Sequence, residues 1–120
     1  MNDLISISDE IQKKIRLLSE TRGKLKQAGD AKAKTISEYD KAVAICLINL
    51  RNGKTITVDG VDVVDPPASY GEKVAKGACW EQRLAMEMAD NYYKSLITFI
   101  NCIESELSAA QSLFRTLDNV

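Results

Sequence analysis

The sequence predicts a mainly α-helical protein: a long antiparallel helical hairpin of coiled-coil type, with a small β-hairpin at the bend, assembling into an oligomeric helical bundle. Three observations predict it. Apolar residues recur every seven positions in both halves of the chain, and two short β-branched runs flank Asp59-Gly60 in the middle. Near that bend, both halves also carry more apolar surface than a single partner helix covers. At 120 residues the chain is expected to form one domain spanning residues 1–120.

The first element is a helix over about residues 7–51. Leu4, Ile11, Leu18, Leu25, Tyr39 and Cys46 follow a seven-residue repeat broken only by Lys32, and Ile15, Ile36, Val43 and Leu50 form a companion series four residues on. Two such series describe a continuous apolar stripe on one long helix. The stripe thins at Gln27-Ala28-Gly29-Asp30-Ala31-Lys32, where glycine and small residues predict a kink or local break. Asn52-Gly53 then supplies a glycine just past the last periodic residue, a common helix stop.

A β-ribbon is expected over 55–64. Thr55-Ile56-Thr57-Val58 and Val61-Asp62-Val63-Val64 flank Asp59-Gly60, a pair that tolerates the positive φ angles of a tight hairpin turn. Asp65-Pro66-Pro67 ends regular structure. Ser69 and Glu72 have capping-box spacing, so a second helix is expected over about 70–117. Its stripe is Ala75, Ala89, Leu96, Ile103, Ala110 and Leu117, with Cys79, Met86, Tyr93, Ile100, Leu107 and Phe114 as the other series.

Near-equal helices joined by a short ribbon pack antiparallel, residue i facing roughly residue 121 − i. Charge supports that register. Lys13, Lys14, Arg16, Arg22, Lys24, Lys26, Lys32 and Lys34 stand against only Glu20 and Asp30, while the facing stretch carries Glu87, Asp90, Glu104 and Glu106 against Lys94. Opposite charges flanking a seam favour the correct pairing. A basic run of this kind is also able to hold the phosphates of a nucleic acid.

The hairpin is expected to self-associate, as a dimer or higher. Ala42 to Ile48 is apolar all round the helix, and Gly77, Trp80, Leu84 and Met88 recur at three- and four-residue spacings on the side opposite the seam. An all-round apolar helix is buried all round. The expected oligomer interface is therefore Ile45, Ile48, Gly77, Trp80, Leu84 and Met88, with Gly77 allowing close approach of backbones.

Composition narrows the chemistry. With 16 Lys+Arg against 17 Asp+Glu the formal charge is −1, so there is no overall pull toward nucleic acid or an anionic membrane. Histidine is absent, which removes the ordinary catalytic triad and the usual general base. No CxxC pair and no glycine-rich phosphate loop occurs. Cys46, Cys79 and Cys102 lie in apolar stretches and are expected to be small buried hydrophobes. The N-terminus lacks a signal-peptide pattern, no run is apolar enough to span a membrane, and a reducing cytoplasm is expected. The expectation is a protein that is not an enzyme and uses no cofactor and no metal.

One cluster has a chemical character of its own. Lys73, Lys76, Trp80 and Arg83 share a helical flank, with Arg51, Lys54 and Tyr70 at the same end of the hairpin. Cations beside an indole and a phenol suit an anionic, aromatic ligand such as a nucleotide. The same residues more simply describe an interface anchor, Trp80, with a polar rim, and the two readings coexist if the ligand sits in the oligomer interface.

The stretches Ser37-Glu38-Tyr39-Asp40-Lys41-Ala42 through Leu50-Arg51-Asn52-Gly53, and Val74-Ala75-Lys76-Gly77-Ala78-Cys79-Trp80 through Tyr92-Tyr93-Lys94-Ser95-Leu96, resemble small uncharacterised helical proteins of bacteriophages and prophages of Gram-positive bacteria. The resemblance implies a phage origin and a bacterial host cytoplasm, and it supplies no functional residues. The resulting expectation is a binding protein that antagonises host defence, sequestering a nucleotide-type immune signal or blocking a defence protein. Two rivals are an accessory factor of recombination or replication, binding DNA or a single-strand-binding protein, and a structural coiled-coil adaptor.

Overall fold

The structure is a computed structural model and describes residues 2–119. In order the elements are α1 (Asn2–Arg51), β1 (Ile56–Val58), β2 (Val61–Val63), α2 (Ala68–Ala78) and α3 (Trp80–Asp118). The chain divides into two compact units, one of Met1–Gly29 with Tyr92–Val120 and one of Asp30–Asn91. The mainly helical class and the antiparallel ribbon are as the sequence predicts.

In the first unit, segments of α1 and α3 pack antiparallel around Leu18, Ile100 and Ile103, with Leu25 and Leu107 against them. Opposite charges bridge the seam in the expected register: Lys14 Nζ lies 2.8 Å from Glu106, and Arg22 lies 3.0 Å from Glu104. Hydrogen bonds to Glu106 and then to Glu10 hold the Lys14 ammonium above its usual pKa. Gly29 does not break α1, which is helical throughout. A Cβ at Gly29 would sit 3.5 Å from the Tyr93 ring, an ordinary van der Waals contact, and packing on both sides of the position offsets glycine's low helix propensity.

The stripe on α3 follows both predicted series; Leu96, Ile100 and Ile103 are its buried members. The stripe on α1 does not. Its leading series holds, with Leu18 and Cys46 buried, and Val43 and Leu50 of the companion series join the core, but Ile15 and Ile36 are exposed. Ile7, Lys14, Thr21, Ala28, Thr35, Ala42 and Asn49, each three residues beyond a leading position, are buried or half-buried instead. Four of these, Thr21, Ala28, Thr35 and Ala42, are small, and small side chains in a seam allow close packing. The hydroxyls are satisfied locally: Thr21 Oγ1 donates to the Leu17 carbonyl at 2.7 Å, and Thr35 Oγ1 to the Ala31 carbonyl at 3.0 Å. A threonine whose hydroxyl bonds to the preceding turn enters a seam without an unsatisfied polar atom.

In the second unit, α1 ends as Gly53 takes a φ of 77°. The Lys54 amide donates to the Asn49 carbonyl and the Gly53 amide to the Leu50 carbonyl, the paired bonds of a Schellman cap. The ribbon pairs Ile56 with Val63, Thr57 with Asp62 and Val58 with Val61. Asp59 and Gly60 both have positive φ, 48° and 79°, as a two-residue turn of the expected kind requires. Ile56 joins a core of Cys46, Leu50, Ala75 and Cys79, where Val43, Leu47, Val74 and Ala78 also pack.

Three expectations are corrected in this unit and on α3. The capping box is not formed: α2 begins at Ala68, behind Pro67, with no side-chain cap. Pro67 takes the N-cap position with φ −52° and ψ 145°, so the helix starts directly behind the proline, earlier than the serine would start it. The second helix is also not continuous. At Cys79 the amide is shared between the Ala75 and Lys76 carbonyls, both at 3.2 Å, and the helical ladder resumes with Arg83 bonded to Cys79. Finally, Cys46 and Cys79 are buried but Cys102 is exposed, because Cys102 falls outside both series of the α3 stripe.

Candidate functional site

The second unit contains a cleft of about 760 Å³. One wall is a flank of α1, where Asp40, Val43, Ala44, Leu47 and Arg51 follow one another at helical spacing. The other is α2, with Ala68, Gly71, Glu72 and Lys76, and Asp65-Pro66 of the connecting segment also lines the cleft. Part of the lining is apolar, with Val43, Leu47 and Leu50 shared with the adjoining core. Asp65 adopts a φ of 45°, a left-handed conformation that aspartate accepts more readily than most residues.

Two of the seven predicted ligand residues, Arg51 and Lys76, line this cleft; Lys54, Tyr70, Lys73, Trp80 and Arg83 do not. The cations are also partly committed. Lys76 Nζ lies 3.0 Å from Glu72, and the Arg83 guanidinium lies 3.2 Å from Glu87. The hydrogen bond from Lys76 to Glu72 raises the Lys76 pKa. With Asp40, Asp65 and Glu72 against Arg51 and Lys76, the lining charges of the cleft are three negative and two positive. That balance suits an apolar group with a cation beside it better than a phosphate.

Sequence reasoning missed Tyr39, Asp40, Val43, Ala44, Leu47 and Asp65 as cleft residues. Their signal was present: the Asp65-Pro66-Pro67 break turns the chain back beside an α1 flank that is apolar at helical spacing.

The predicted interface residues separate into two groups. Trp80, Leu84 and Met88 are 56%, 49% and 63% exposed, and Ile45 and Ile48 are exposed as well. Trp80, Leu84 and Met88 recur every fourth residue, so they form one outward stripe on α3. Gly77 is different. A Cβ there would make an ordinary van der Waals contact, 3.6 Å from Val58 Cγ1 in the ribbon of the same chain.

The basic run is divided too. Lys14, Arg22 and Lys32 pair across the seam, the last with Asp90 at 3.0 Å, and Lys34 pairs with Glu38 on its own helix. Half the run thus serves register and local pairing rather than presenting free charge. Among the described residues, no group of three or more His, Cys, Asp or Glu could hold a metal ion, and no helix is long and apolar enough to cross a membrane.

Cys46 and Cys79 share the core beside the cleft, and burial pushes both thiols above their ordinary value. They are therefore protonated packing groups at neutral pH rather than nucleophiles. No protein-family model, curated protein or solved structure matches this chain.

Proposed function

We propose that this chain is a non-enzymatic binding protein that works as a homo-oligomer, its second unit serving as the assembly and recognition end. The observation that carries this reading is the exposed stripe of Trp80, Leu84 and Met88. Sealing a half-exposed side chain of this size from water contributes roughly 1 kcal/mol, half the value for full burial. Three in a row make an unusually sticky face to leave open. In the setting implied by the phage resemblance, such a protein acts stoichiometrically, as an antagonist of host defence that blocks a defence protein.

A native mass spectrum of protein purified from a bacterial host tests this. The expected result is more than one copy per particle for the wild type and single copies for a Leu84→Glu/Met88→Glu variant. A wild type that flies as single copies, with nothing bound, refutes the reading.

A second reading, sequestration of a nucleotide-type signal, is favoured by one observation: Arg51, Lys76 and Tyr39 line one cleft. Calorimetric titration with cyclic dinucleotides and ADP-ribose derivatives separates the two. Heat that disappears in Arg51→Ala supports the nucleotide, and no heat with any of them removes it.

A further inference from the structure

We propose that the indole of Trp80 seats in the cleft of a second copy of this chain, while that copy's Trp80 seats in the first, so that assembly is a reciprocal exchange. This rests on the self-association read above and specifies where the contact falls.

The argument starts from a protrusion and a hole on the same unit. Trp80 is the sole tryptophan of the sequence. It opens α3 directly after the break at Cys79, the residue is more than half exposed, and it does not line its own chain's cleft. The apolar part of the cleft lining includes Val43, Ala44, Leu47, Leu50 and Pro66, and the cleft is in the size range that encloses compact apolar groups. Aromatic anchors filling a partner's pocket are the commonest centres of binding energy at interfaces.

Charge selects the occupant. Asp40 and Asp65 stand on the cleft lining, and no ion pair within the described residues engages either. Arg83 lies three residues beyond Trp80, on the same flank of the helix. Its present partner is the exposed Glu87 of its own helix, an interaction that contributes little in water. A second copy therefore brings an indole for the apolar lining and a guanidinium for Asp40 and Asp65, whereas an anionic ligand meets both of these carboxylates and finds Lys76 already paired with Glu72, with Arg51 as the other lining cation.

Symmetry sets the form. One-way insertion would propagate copy after copy, while two reciprocal insertions close a two-fold dimer.

The sole tryptophan makes the test direct. In the wild type, Trp80 emission shifts to the red as the protein is diluted through dissociation. Ala44 is an exposed helical position on the cleft lining, and lysine is a good helix former. Ala44→Lys is thus expected to keep full helix content while obstructing the seat, weakening association by at least about thirtyfold, the scale of a lost hot spot. Trp80→Ala is expected to do the same.

Mixing the two variants is decisive. Ala44→Lys supplies an indole and Trp80→Ala supplies an open cleft, so the mixture regains association that neither variant shows alone, and its tryptophan emission moves to the blue. If Ala44→Lys assembles like the wild type, or the mixture regains nothing, the exchange is overturned while self-association stands. If the wild type itself does not associate, the functional reading falls first and the exchange with it.

Discussion

Replacing Ile103 and Ile15 by alanine, one at a time, tests the seam register of the first unit. Ile103 is 2% exposed within the Leu18–Ile100 core, whereas Ile15 is 49% exposed. Each substitution removes three carbons, worth about 0.8 kcal/mol apiece when fully buried, so the transfer term at Ile103 is about 2.4 kcal/mol. A residual cavity adds to this, but a core covered on few sides relaxes well, which places Ile103→Ala at about 2–3 kcal/mol, the low end of the range. At Ile15 the transfer term is roughly halved to 1.2 kcal/mol, and alanine's better helix propensity returns a few tenths. The expected cost there is below about 1 kcal/mol. Urea unfolding followed by far-ultraviolet circular dichroism, at one fixed protein concentration, measures both. Equal costs at the two positions would refute the register, because Ile15 would then have to lie in the seam.

Three other perturbations probe the second unit and the caps. Ala75 is fully buried in the core that α2 shares with α1, so Ala75→Leu overpacks it and is expected to destabilise by about 1–3 kcal/mol in the same unfolding assay. Gly53 holds φ at 77°; Gly53→Ala is expected to cost about 1 kcal/mol through left-handed strain alone, and a neutral result would mean that the Schellman cap is not formed. Burial raises the Cys46 and Cys79 thiols above 9.0, so the folded state holds its protons longer than the unfolded state. Their contribution is complete below about pH 9 and is lost as pH rises beyond it. A Cys46→Ala/Cys79→Ala variant should therefore show a shallower fall in stability above that pH than the wild type, and parallel pH curves would remove the thiols as the cause.

Much of the architecture was legible because it is written in periodicity and turn chemistry. The α3 stripe, the Asp59-Gly60 turn and the Gly53 stop each rest on one strong local preference, and each is found. In the companion series on α1, Val43 and Leu50 pack as expected, but Ile15 and Ile36 were misread because isoleucine looks like core and threonine does not. Thr21 and Thr35 enter the seam by bonding to their own helix, a device that residue type alone does not announce. Gly77 shows a different limit: its nearest neighbour beyond its own helix is the ribbon's Val58, a contact that becomes evident only when the ribbon folds back. The ligand cluster was legible as residues but not as a place. Helical spacing put Lys73, Lys76, Trp80 and Arg83 on one flank, whereas the cleft forms on the other side of Lys76, where the Asp65-Pro66 segment lies beside α1.

The claim that a second copy covers the Trp80–Leu84–Met88 face is tested most directly by sedimentation velocity over a micromolar concentration series. Wild-type protein should sediment as a species larger than one chain, and Leu84→Glu/Met88→Glu as a single chain of unchanged helix content. A wild type that remains a single chain at every concentration would contradict the account.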